Sequence, residues 1–421
     1  MKILWLCNIL LPHIAEKVGL KSNPKEGWLV GAYERIQNTG EVDIVYLFPH
    51  NGAEVHYEEN NNIFLSYPQR KQEKLEQEQI AVFKRILREH NPDVVHIFGT
   101  EYPHALAMVY ACEALNMLER IVVGIQGMVS VIPEHYFAFL PYKARIAMTF
   151  RDLLRAENLY VKKNVFVKRG IFEQEVLRKV QHVIGRTEWD YACTKQINPK
   201  ISYHFCNETL RPSFYEKRWD LESIEKHSIF QAQGQYSLKG FHYTLKAMRE
   251  IIKIYPDAKL YTTGKNPLKP SLKEKIRRTY YQKYIAKLIR KYGLEDHVVF
   301  LGSLSEKEMC ARLLKSHVFV SASSIENSSN ALGEAMLLGV PSVCSFVGGT
   351  PSMLEHEKEG FLYQENATYM LAYYIMRMFE EGNGVLRFSE NARKRAMITH
   401  SPDKNTKRTI EIYQTIYSKE K

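Results

Sequence analysis

The chain has no Cys-x-x-Cys pair, and its six cysteines, Cys7, Cys112, Cys193, Cys206, Cys310 and Cys344, lie scattered, mostly inside apolar runs. This spacing argues against a disulfide framework or a zinc site and fits a reduced, cytoplasmic setting. No run of about 18 apolar residues occurs, so no segment is expected to span a bilayer. The opening, Met1-Lys2 followed by Ile3 to Leu11, imitates a signal peptide. Its apolar run is short, contains Asn8 and is followed by no small-x-small cleavage site, so it reads as a first β-strand. A complete glycine fingerprint for dinucleotides is missing. Basic residues are plentiful, but no nucleic-acid motif accompanies them, and nucleic acid is not an expected partner.

What is present suits a globular enzyme. The 421 residues suffice for two domains, and 45% hydrophobic with 25% charged residues are globular proportions. A formal net charge of +11 favours anionic partners without choosing among nucleotides, nucleic acid and anionic membranes.

Short strand candidates alternate with helical patterns through the whole chain. In the first half they are Ile3 to Asn8, Val42 to Phe48, Asp93 to Phe98, Ile121 to Gln126, His182 to Arg186 and Ile201 to Cys206. In the second half they are Ser228 to Gln233, Lys259 to Thr263, His297 to Leu301, Val318 to Ser321, Pro341 to Ser345 and Gly360 to Tyr363. This βα rhythm predicts parallel sheets in two Rossmann-like domains, with ligand loops at the carboxyl ends of the strands. We place the domains at 1–210 and 211–401, with a terminal helix at about 402–421 packing back on the first.

The most informative stretch runs from Ser323 to Met336 and is closed by Gly339-Val340-Pro341. A strand precedes it, and helix formers from Ala331 to Leu338 follow, so it reads as strand, polar loop, helix. With Ser329 or Asn330 as cap, the free amides and positive dipole end of the helix point into the loop, where a phosphate fits. Glu326 then stands in the loop, and Glu334 about one turn inside the helix, roughly 5 to 6 Å along its axis. Two carboxylates flanking an anion site can accept hydrogen bonds from two polyhydroxylated groups. A capped helix with two solvated glutamates is the plain alternative, and spacing alone does not decide between them.

This stretch resembles the signature of the retaining glycosyltransferases of family 4. Lys239-Gly240, Phe300-Leu301-Gly302 and Gly348-Gly349-Thr350 extend the resemblance over most of the second half, and it is looser in the first. It implies the GT-B fold, α/β with two parallel-sheet domains facing a cleft, and transfer of a sugar from a UDP- or GDP-linked donor to a hydroxyl of a glycan or lipid-linked saccharide. Carried over, Glu326 contacts the donor sugar, Glu334 the ribose, and Lys239 the leaving diphosphate, while Asn327, Ser328, Ser329, Asn330, Ala331 and Leu332 form the donor loop and helix start. Gly348 and Gly349 allow close backbone approach to the sugar, with a tight turn as the alternative. A hexosyltransferase-like enzyme is implied, and no metal or cofactor is expected, because no Asp-x-Asp-like pair lies in a loop near the site.

The chain departs from the family pattern in two places. The loop Gly234-Gln235-Tyr236-Ser237-Leu238-Lys239-Gly240 lacks the Arg that commonly accompanies the Lys, so Arg211, Arg186 or the helix terminus must supply the second positive charge. Gln126 stands where many relatives carry a His. It bonds hydroxyls but cannot act as a base. The rival readings are another GT-B enzyme, a sugar phosphorylase or nucleotide-sugar epimerase, and a catalytically silent sugar-binding scaffold.

In the first half, Gly27, within Glu26-Gly27-Trp28, is a candidate for diphosphate approach or a plain turn. His96 reads as a core residue, and Thr100, Glu101 and His104 as candidates at a strand end. Arg186 is either a phosphate ligand or a brace at a domain interface. The basic and aromatic segment Tyr136 to Lys179 reads either as a surface for anionic lipid, at the inner membrane face, or as solvated helices covering the sheet. Lys269 to Lys291 reads as one basic helix with Leu272, Ile276, Tyr280, Tyr284 and Leu288 on its packing face.

Overall fold

The computed structural model describes residues 1–21, 27–68, 74–155 and 158–418, apart from the side chains of 27, 28, 272 and 273. The chain forms two compact units, the first from 1–131, 165–210 and 400–421, the second from 132–164 and 211–399.

The first unit carries an eight-stranded sheet. Its strands are β1 (Lys2–Leu6), β2 (Asp43–His50), β3 (His56–Glu59), β4 (Asn62–Pro68), β5 (Val94–Phe98), β6 (Ile121–Gly124), β7 (His182–Gly185) and β8 (Ser202–Phe205). The order is β3-β4-β2-β1-β5-β6-β7-β8, parallel except for the β3/β4 pair. β5 is buried at all five positions, as a strand covered on both faces must be, and its near-continuous apolar sequence follows from that. The β3–β4 hairpin turns through Asn60 and Asn61, both at positive φ (51° and 63°). Asparagine tolerates that region and so permits the tight turn. The helix Pro402–Ser418 completes the core of this unit with Ile410, Ile412, Tyr413 and Ile416 packed against β1 and β2.

The second unit holds a six-stranded parallel sheet. Its strands are β9 (Glu225–Gln231), β10 (Lys259–Thr262), β11 (Val298–Phe300), β12 (Ser316–Ser321), β13 (Ser342–Phe346) and β14 (Gly360–Gln364), in the order β11-β10-β9-β12-β13-β14. Both units thus have the doubly wound α/β architecture expected from the sequence.

Two expectations change. The segment 132–164, assigned from the sequence to the first domain, packs with the second. His242, fully buried, holds it there: Nε2 donates to the Ala138 carbonyl (2.9 Å) and Nδ1 meets Tyr281 Oη (3.1 Å). The backbone N–H of Tyr280 donates to the buried Asp152 carboxylate (3.2 Å). The second change concerns Lys269 to Lys291, which forms two helices, Leu272–Arg277 and Tyr280–Lys291. Each starts on its own capping box, Ser271 with Glu274 and Thr279 with Gln282. The restart turns the packing face to Tyr281, Ile285, Leu288 and Ile289, and leaves Ile276 exposed.

Candidate functional site

The site in the second unit is built at the carboxyl ends of β9, β12 and β13. After β12 the chain enters the loop 322–329 and then the helix Asn330–Leu338. Ser329 caps the helix: its Oγ accepts from Leu332 N–H (3.4 Å), and its carbonyl accepts from Gly333 N–H (2.9 Å). Helix geometry leaves the amides of Asn330 and Ala331 without an intrahelical acceptor. Gly339, at φ +83°, ends the helix in a left-handed cap. Ser329 N–H donates to Met353 Sδ (3.2 Å), which ties the cap to the core.

Glu326 and Lys239 come together. Lys239 Nζ lies 2.6 Å from Glu326 Oε2, and Ser323 Oγ donates to the same oxygen (3.0 Å). Both side chains keep a solvent-facing part, 26% for Lys239 and 15% for Glu326. An ammonium has three donors, so Lys239 retains capacity for an anion while paired.

Glycines set this distance. At Gly240 (φ +64°) a Cβ would fall 1.8 Å from the Ala322 carbonyl oxygen, and at Gly348 (φ +48°) another would fall 2.1 Å from the Glu326 carbonyl oxygen. Only glycine fits both the conformation and the contact. The Lys239 loop and the Gly348 loop are therefore pressed against 322–326 from two sides, with Ser324 N–H donating to the Leu238 carbonyl and Gly349 N–H to the Glu326 carbonyl. Ser345 Oγ bonds the Ser323 carbonyl (2.6 Å) and fixes the loop from below. Gly348 thus serves a loop-to-loop contact.

Glu334 is buried and gripped by Arg211, whose Nε and one terminal nitrogen lie 2.6 and 2.7 Å from its two oxygens. Burial raises its pKa, and the Arg211 bonds and charge oppose the rise. Arg211 thus pairs with Glu334 through two of its nitrogens. The missing Arg of the preceding loop also has a structural reason. At Gly234 a Cβ would lie 2.7 Å from Thr262 Oγ1, and the site has no room for a side chain. Gln235 turns to the Lys265 carbonyl (2.5 Å).

In the first unit, Arg186 is 5% exposed. One terminal nitrogen pairs with Glu208 (2.5 Å), and the other donates to the carbonyls of Ile125 (2.9 Å) and Gln126 (3.3 Å). It ties the ends of β6, β7 and β8 together. Gln126 follows β6 and lines a cavity of about 80 Å³ with His96, Arg186, Glu208 and Tyr413. His96 is in the core. Trp5 Nε1 donates to Tyr413 Oη (3.1 Å), which is also hydrogen-bonded to His96 Nδ1 (2.7 Å). His104 is buried against the rings of Tyr67 and Tyr102, and burial lowers its pKa to about 3, so it is a packed neutral residue rather than an exposed ligand. Thr100 donates to the buried carboxylate of Glu173 (2.5 Å). Gly27 heads the helix Gly27–Thr39, and Glu26 lies outside the described residues.

Sequence reasoning missed Ser345 and Met353, because they hold the loop from segments remote in sequence.

The two doubly wound units define the class: the chain has the GT-B fold. Sucrose-phosphate synthase from Thermosynechococcus elongatus superposes with a TM-score of 0.71 at 13% identity, over 99% of each chain. The Anabaena Alr3699/HepE structure in complex with UDP-glucose does so at 0.66 and 15%, over 99% of this chain and 100% of that one. Residues 214–395, within the second unit, match the family described as Glycosyl transferases group 1. The putative glycosyltransferase YtcC of Bacillus subtilis (strain 168) is 26% identical over 204 residues, 48% of either chain, so the match spans about half the relative's length.

Proposed function

We propose that the chain is a retaining glycosyltransferase that moves a sugar from a UDP- or GDP-linked donor to a hydroxyl of a saccharide or lipid-linked saccharide. The observation that carries this reading is the Lys239–Glu326 pair, with Glu326 in the loop that leads into the Ser329-capped helix Asn330–Leu338. When the bond from the anomeric carbon to phosphate oxygen breaks, positive charge develops on the sugar and negative charge on the diphosphate. Lys239 and the helix amides face the second charge, and Glu326 the sugar. The remaining acceptor capacity of Glu334 serves the ribose hydroxyls, with Arg211 keeping the carboxylate in place. The acceptor oxygen then bonds to the same face of the sugar, and its proton passes to the leaving diphosphate. The HepE complex with UDP-glucose, on the same fold, supports a nucleotide-sugar donor.

Because Lys239 and the amides already supply charge, we propose that no metal is required. A panel of UDP- and GDP-sugars assayed for nucleoside diphosphate release tests the function, and EDTA should leave the rate unchanged. Turnover by the native chain, with a loss of about 10²-fold or more in Lys239→Ala and Glu326→Gln, is expected. NMR of the product should show the donor's anomeric configuration. The packed site at Gly234, which denies the loop a second cation, favours one other reading, a silent sugar-binding protein. Nucleotide binding without turnover for any donor would establish that reading instead.

A further inference from the structure

Exposed apolar side chains are concentrated in one part of the second unit. Phe139, Tyr142, Phe150, Leu153 and Leu154 are each 58% to 69% exposed within sixteen residues of chain. They sit on and beside two short helices, Tyr142–Ile146 and Phe150–Arg155. The helix Leu272–Arg277 packs beside the second of these and adds Ile276, 62% exposed. Monomeric surfaces rarely leave so many large apolar groups together without a partner.

The charges among the described residues of this part are mostly positive, and Glu274 on the helix Leu272–Arg277 is paired with Lys265 (2.9 Å). Lys143, Arg145, Arg155, Lys162 and Lys163 are interleaved with the apolar residues, while Arg151 pairs with Asp152 (3.4 Å). Among the described residues of 139–163 the one carboxylate is Asp152, which is 2% exposed and accepts from the backbone N–H groups of Thr149 (3.0 Å) and Tyr280 (3.2 Å). It thus anchors the surface to the helix Tyr280–Lys291 and presents no negative charge outward. Cations alternating with exposed apolar groups match a bilayer interface, where phosphates and acyl chains occur at one level.

We propose that this surface docks the protein on an anionic lipid bilayer, through Phe150, Leu153, Leu154 and Ile276 inserted among the headgroups and the surrounding Lys and Arg on lipid phosphates. The contact belongs to the second unit, the one that carries the Lys239–Glu326 site, and not to the first domain as the sequence suggested. It does not rest on the glycosyl-transfer reading, because vesicle capture requires no turnover.

Flotation with phosphatidylglycerol–phosphatidylcholine vesicles, against phosphatidylcholine alone, tests it with the full chain. Binding to the anionic vesicles is expected to be at least about tenfold stronger, since each cation near such a surface is worth about fivefold, and to weaken with salt. Leu153→Ser with Leu154→Ser, and separately Lys143→Glu with Lys162→Glu, should each lower it about tenfold or more while melting temperature and nucleotide binding stay native. No capture, equal capture by neutral vesicles, or capture indifferent to both double variants would overturn the proposal. So would self-association that both variants abolish without any vesicle binding, which would make this face a protein contact.

Discussion

A few side chains decide whether the site exists at all. Replacing Gly348 or Gly240 by Ala forces a Cβ onto a carbonyl oxygen in a left-handed backbone, and the loop must move. We expect Gly348→Ala to fold, to lose at least about 10²-fold in kcat/KM if the chain turns over donor, and to shift Glu326 measurably in a crystal structure. The Arg211–Glu334 pair sets a different test. Arg211→Met strands a buried carboxylate and should cost about 3 to 5 kcal/mol, read as a fall in the urea midpoint, whereas Arg211→Met combined with Glu334→Gln should recover much of it. Protonation adds a third. Burial lowers His96, His104 and His242 from 6.5 to about 3, so each is neutral when folded and takes up a proton once unfolded below pH 6.5. The stability they support is complete above pH 6.5 and is lost progressively as pH falls toward 3. Urea midpoints should therefore drop between pH 7 and 5, with a flatter slope in His104→Leu.

Single elements show what the sequence could and could not tell. The helix Asn330–Leu338 was legible because its cap, its former-rich body and its glycine stop lie in one contiguous stretch. Ser329→Ala should cost about 1 kcal/mol in thermal stability and raise the KM for donor, a result that would separate a cap from a bystander. The split of Lys269 to Lys291 was also legible, in Ser271-x-x-Glu274 and Thr279-x-x-Gln282, but the four-residue apolar steps overrode it. The β3–β4 hairpin carried its signal in Asn60-Asn61, next to a strand whose His56-Tyr57-Glu58-Glu59 sequence has no buried face to advertise it. Nothing local announces that Arg211 grips Glu334, 123 residues away, or that Gly240 and Gly348 are needed for contacts with Ala322 and Glu326. Strand ends were predicted to gather ligands, and Arg186 at such an end joins three strands, because its carbonyl partners at Ile125 and Gln126 arrive from a different strand.

At the scale of the whole molecule, neither unit is one continuous piece of sequence. The chain passes from one to the other at 131/132, 164/165, 210/211 and 399/400. The first unit's core needs Ile410, Ile412, Tyr413 and Ile416, and Trp5 and His96 both depend on the Tyr413 hydroxyl. A chain stopped at Leu210 should accordingly lose cooperative urea unfolding, and residues 400–421 supplied as a separate peptide should restore part of it. A ribosome adds roughly 5 to 20 residues per second, so Ile416 follows Ile3 by roughly 20 to 80 s. Throughout that interval β1 waits with one side of its core open, and its unit closes only after the helix Pro402–Ser418 has been made.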